Sequence, residues 1–93
     1  MDIDLVVVCG RIAASPEQRT FDSGSKMMRL LVTVRSEEPV RRIDVIPVTV
    51  WDPAEDLWDR PPTVGDRVWI SGAVQRRFWD DASGRRSRLE VVA

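Results

Sequence analysis

Residues 65–93, GDRVWISGAVQRRFWDDASGRRSRLEVVA, read as two long strands joined by a tight turn. Side chains alternate sides along a strand, so Val68, Ile70 and Val74 share one face while Trp69, Gln75, Arg77 and Trp79 share the other. The turn is Asp81-Ala82-Ser83-Gly84, where glycine takes a positive φ at little cost. Symmetric pairing about that turn sets Trp79 opposite Arg86 and Arg77 opposite Arg88. It also turns Leu89 and Val91 toward the core beside Val74. The expected product is a rigid ribbon with an apolar inside and an outside of rings among guanidinium groups.

Working back from this ribbon, residues 5–14 (LVVVCGRIAA) form a β-branched run without clean alternation, the pattern of a strand covered on both faces. Val6, Val8 and Ile12 can point to the core; Leu5, Val7 and Cys9 then need another cover, which a second subunit would supply. Gly10 inside the run marks a bulge or a barrel corner. Ser15-Pro16-Glu17 breaks the strand, and Asp22-Ser23-Gly24-Ser25 is a turn. In residues 26–36 (KMMRLLVTVRS), Met28, Leu30, Val32 and Val34 face in, and Arg29, Thr33 and Arg35 face out. A charged loop, Glu37 to Arg42, leads into residues 43–51 (IDVIPVTVW). There Ile46, Val48 and Val50 face in, and Val45, Pro47, Thr49 and Trp51 face out. Pro47 cannot donate to a ladder and belongs at an edge or bulge. A short helix follows: Asp52 as N-cap, Pro53 at N1, Glu55 at N3, Ala54, Leu57 and Trp58 on one face, and Pro61-Pro62 as the stop.

The order is strand, strand, strand, short helix, strand, strand. An all-β chain of five strands with a helix between the third and fourth is the plan of the OB-fold, a partly open Greek-key barrel. The helix would plug its open end with Leu57 and Trp58. At 93 residues there is room for one domain, 1–93, with a modest core.

Composition narrows the function classes. With no histidine and one cysteine, the chain lacks a Ser-His pair, a Cys-His pair and a zinc ligand set, so an enzyme is not expected, and neither is a cofactor. Gly65, Gly72 and Gly84 are strand or turn glycines rather than a phosphate cradle. A lone Cys9, an acidic Met1-Asp2-Ile3-Asp4 start and no apolar run near the roughly 20 residues of a membrane span fit a cytoplasmic protein without membrane contact. Net charge is −1, so the whole-molecule field attracts no polyanion. Any nucleic-acid binding must come from local clustering of the 14 basic residues, all arginine except Lys26. The hairpin offers such clustering. Rings that stack on bases beside arginines that pair with phosphates suit a single nucleic-acid strand.

Residues 6–36 (VVVCGRIAASPEQRTFDSGSKMMRLLVTVRS) and the hairpin of residues 65–93 resemble the two halves of bacterial single-stranded-DNA-binding proteins, the hairpin almost position for position. The resemblance implies an OB-fold that wraps single-stranded DNA in replication, repair and recombination, as a homo-oligomer, dimer or tetramer, built partly through the first strand. The family's stacking aromatics match Trp51 and Trp79, and a basic position matches Arg77. The candidate DNA contacts are therefore Trp51, Trp79, Arg77, Arg86 and Arg88, with Trp69 further back on the hairpin and Arg29 and Arg35 on the outward face of residues 26–36. Departures are plain. The family's long loop is shortened to Glu37–Arg42, one aromatic position holds Val45, and basic positions hold Pro47, Pro53 and Val64. The chain stops at Ala93, short of the family's acidic-tipped tail. Two alternatives stay open: an OB-fold adaptor similar to primosomal replication proteins, which contacts replication proteins, and a regulatory subunit that mixes with a full-length paralogue.

Overall fold

The computed structural model describes residues 1–93 as six strands and one short helix: β1 Val6–Ile12, β2 Glu17–Thr20, β3 Lys26–Ser36, β4 Arg42–Trp51, α1 Glu55–Asp59, β5 Arg67–Asp81 and β6 Gly84–Val92. The strands form one sheet in the order β1-β5-β6-β4-β3-β2, and a further pairing of β1 with β3 closes it into a barrel. Five strands close the barrel, as the OB-fold reading requires. The sixth, β2, lies where the sequence pattern marks only a strand break at Ser15-Pro16-Glu17 and a turn at Asp22-Ser23-Gly24-Ser25. It pairs antiparallel with β3 from Glu17↔Arg29 to Thr20↔Lys26, with every residue exposed, so it carries no apolar signal to betray it.

Closure depends on Gly10. β1 pairs with β5 from Val6↔Gly72 to Arg11↔Arg67, yet Arg11 and Ile12 also pair with Thr33 and Val32 of β3. A side chain at position 10 would collide with the Thr33 carbonyl and the Val32 side chain. Glycine lets the strands approach where β1 passes from one neighbour to the other, the barrel corner expected from the sequence.

The interior is the inward set of the alternating strands: Val8, Ile12, Met28, Leu30, Val32, Val48 and Val91 form one buried cluster. Burial of each such side chain contributes about 1.5–3 kcal/mol. Leu57 and Trp58 of α1 pack against this cluster, so the helix plugs the barrel as anticipated. Its start differs from the expectation. The N-cap position is Ala54, without a side-chain cap. Asp52, expected to cap, has φ +46° and its carboxylate accepts the Lys26 backbone N–H at 2.9 Å. The Asp52 N–H in turn donates to the Lys26 carbonyl at 2.7 Å. Asp52 thus ties off the open end of the β3–β4 ladder, and that demand takes its side chain away from the helix.

β4 and β6 run parallel and pair only at Val48↔Val91 and Thr49↔Val92. Pro47 lies just before this pairing. The Thr49 carbonyl accepts from Ala93 N–H, so the polar groups of residues two apart on β4 point toward β6, and the N–H that Pro47 lacks has no partner there to miss. Beyond that point the β5–β6 hairpin projects past the barrel. Val91 is buried, but Val74 is 37% and Leu89 52% exposed. The expected apolar inside of the ribbon is therefore core only at its base. Thr49, expected outside, is buried under β6, where its hydroxyl donates to Glu90 at 2.9 Å.

Candidate nucleic-acid interface

The hairpin pairs as the sequence predicts: Arg77↔Arg88, Trp79↔Arg86 and Asp81↔Gly84, with Gly84 at φ +113°. Arg77, Trp79 and Arg88 line a cavity of about 300 Å³ together with Arg29 of β3. Three guanidinium groups and one indole form its whole lining, and no carboxylate joins them. Arg29 is the most constrained. Its side chain is 19% exposed, its nearest carboxylate is Glu17 at 3.9 Å, and its Nε is buried with no acceptor in the protein. A buried donor without a partner costs about 1–3 kcal/mol.

Trp79 is 40% exposed and no cation lies over its ring. Three other aromatic rings are covered in that way: Phe78 by Arg85 at 4.9 Å, Trp58 by Lys26 at 5.2 Å and Phe21 by Arg19 at 5.9 Å. Of the two rings near the hairpin tip, Phe78 and Trp79, the Trp79 indole is thus the one left free of an arginine or lysine cover.

The remaining candidates are dispersed. Arg86 faces Trp79 across the strands, but its Nε sits 3.1 Å from Asp81 and its Nη2 donates to Ser83 at 2.6 Å. Asp81 also accepts from the Ser83 N–H and hydroxyl, both at 2.8 Å. The Ser83 hydroxyl first and its N–H second hold the Asp81 carboxyl below its ordinary range; desolvation opposes them, and the Arg86 guanidinium adds the least of the lowering effects. Arg86 is in this way a brace for the turn, occupied rather than free. Trp51, 49% exposed at the end of β4, pairs with Phe21 at 5.7 Å between ring centroids, making a two-ring surface apart from the Trp79 cavity. Phe21 was missed in the sequence, although an aromatic two residues past Arg19 and just before a turn was a usable signal. Arg35 lines other cavities, one with Arg11 and Arg67 and one with Arg41 and Arg42. Trp69, 74% exposed, stands opposite Cys9 on the outer face of β1 and β5.

The profile of the single-strand binding protein family matches residues 3–93 of this chain. The chain belongs to that family. Curated relatives include the single-stranded DNA-binding protein of Caldanaerobacter subterraneus subsp. tengcongensis, 28% identical over 98% of this chain, and that of Clostridium tetani, 31% identical over 95%. The chain spans 64% of the length of each. Among solved structures, a Plasmodium falciparum SSB in complex with ssDNA superposes with a TM-score of 0.87, covering 99% of this chain and 87% of its own, at 19% identity. That likeness establishes the fold, an OB-fold barrel. No helix is long and apolar enough to cross a membrane.

Proposed function

We propose that this family member binds single-stranded DNA without regard to sequence and without catalysing a reaction on it. The observation that carries the reading is the cavity of Arg29, Arg77, Arg88 and Trp79, lined by three guanidinium groups and one indole with no carboxylate. Phosphate oxygens satisfy the guanidinium donors while a base stacks on the open indole. Trp51 with Phe21 offers a second stacking surface, and Arg86 acts by holding the turn. The names of the curated relatives support the same ligand. The proposed setting is the cytoplasm, on DNA exposed during replication, repair and recombination.

Self-association through β1 is the second element of the proposal. Leu5 and Val7 are 72% and 61% exposed, and β1 has one edge unpaired from Val6 to Gly10. An open, apolar edge strand invites pairing with the same strand of a second copy.

Titration with oligo-dT, read by tryptophan fluorescence, tests the ligand. Quenching that survives excess duplex competitor is expected. Three arginine–phosphate contacts predict a log K versus log salt slope of about −2, at roughly 0.7 per contact for single strands. Absence of quenching, with replication proteins recovered in a pull-down after nuclease treatment, would instead establish the adaptor reading.

A further inference from the structure

A cavity of about 520 Å³, larger than the one beside Trp79, opens elsewhere on the barrel. It lies at the barrel corner, where β1 passes from β5 to β3, and Arg11, Arg35 and Arg67 line it. From this cavity, together with the ligand already proposed, we infer a second phosphate-binding site that takes the backbone of the same DNA strand after it leaves the Trp79 cavity.

Three observations carry this. First, none of the three arginines has a carboxylate at ion-pair distance; the ion pairs of the chain involve Arg19, Arg29, Arg42 and Arg86. Like charges gathered around one concavity repel, and an anion between them turns that repulsion into attraction. This clustering stands out in a chain whose net charge is −1. Second, the site is partly organised in advance. Arg11 Nη1 donates to the Gly65 carbonyl at 3.0 Å, fixing one arm of the guanidinium and leaving its other donors for a ligand. Gly65 contributes to the lining, and the open space where its side chain would sit lets a phosphate come close to the backbone. Third, the two cavities are joined by one strand face. Arg29, Leu31, Thr33 and Arg35 alternate along the outward side of β3; Arg29 belongs to the Trp79 cavity and Arg35 to this one. Six residues of strand separate them by about 20 Å, within reach of the 4–16 nucleotides that one OB-fold engages.

The experiment compares the wild type with the double variant Arg11→Ala/Arg67→Ala, using labelled oligo-dT of about 3 nucleotides, too short to span both cavities, and of about 16, the upper end of that range. Neither residue lines the Trp79 cavity, so affinity for the short oligonucleotide is expected to be unchanged. For the long one the salt slope should fall by about 1.4 and affinity at 0.1 M salt by about 25-fold, from roughly 0.7 per lost contact. Arg67→Gln alone, which keeps the Arg11–Gly65 bond, should remove about half of that slope change and guards against a fold defect in the double variant. Equal losses at both lengths, or no loss at the longer one, would overturn the inference. So would a change in mass by light scattering without a change in length dependence, which would assign the cavity to contact between copies. Saturable binding of free thymidine 5′-phosphate, lost in the double variant while oligonucleotide binding is retained, would give the site to a nucleotide instead. If wild type binds neither oligonucleotide, the failure lies with the ligand itself rather than with this second site.

Discussion

Trp79→Ala isolates the stacking contribution from everything else the hairpin does. The indole is 40% exposed, with no cation over it and no aromatic partner at its ring, so its removal leaves the ladder pairing Trp79↔Arg86 and the Asp81–Ser83–Arg86 turn intact. The stability cost is then that of one cross-strand pair, below about 1 kcal/mol. Loss of one base–aromatic stack costs about 1–3 kcal/mol of binding, or roughly 5- to 150-fold in affinity at 1.4 kcal/mol per decade. The salt slope should not move, because Arg29, Arg77 and Arg88 remain. Phe78→Ala is the matched control. Phe78 is the next residue on the same strand, 53% exposed, but on the opposite face and covered by Arg85. Fluorescence-anisotropy titration of oligo-dT at several salt concentrations, with thermal melts of each variant, reads all of these quantities. Unchanged affinity in Trp79→Ala, or an equal loss in Phe78→Ala, refutes the reasoning.

Other outcomes follow from the same geometry. Arg88→Ala should flatten the salt slope by about 0.7 and weaken binding to all sequences alike, as competition among homopolymer oligonucleotides would reveal. Gly10→Ala forces a side chain against the Thr33 carbonyl at the barrel corner and should destabilise the fold by about 1–3 kcal/mol, measured by urea denaturation. An unaltered midpoint would mean that β1 is free to move aside. Asp81 titrates below its ordinary value of 3.8, so its contribution to the turn is complete above that pH and is lost as pH falls through the lower folded value. The Ser83 amide resonance should therefore shift with a midpoint below 3.8, and a midpoint at or above it contradicts the brace.

The hairpin register was legible because strict alternation and the Asp-Ala-Ser-Gly turn are local signals that agree with each other. The inward sets of β3 and β4 were legible for the same reason, and so was Gly10 as a corner. What escaped was set by partners distant in sequence. Asp52 looks like an N-cap until the free Lys26 N–H, 26 residues away, claims its carboxylate. Leu89 and Val74 carry the inward pattern, but β4 stops accompanying β6 at Val48, and nothing in residues 84–89 announces that the ribbon leaves the core there. Thr49 follows the outward pattern and is covered by Glu90 from the far end of the chain. The candidate site divides along the same line. Trp79, Arg77 and Arg88 were found as a group on one ribbon, and Arg29 joins them because the barrel brings β3 alongside. Arg11 and Arg67 were passed over, since only the turning of β1 at Gly10 sets them beside Arg35.

The central claim is that the strand lies on the hairpin face that carries Trp79, and photocrosslinking asks this most directly. Ultraviolet crosslinking of oligo-dT to the intact protein, followed by peptide mass spectrometry, should place thymidine adducts on Trp79 and on the Trp51–Phe21 pair. Adducts confined to Phe78 on the opposite face, or to Trp69 on the outer side of β1 and β5, would contradict the account.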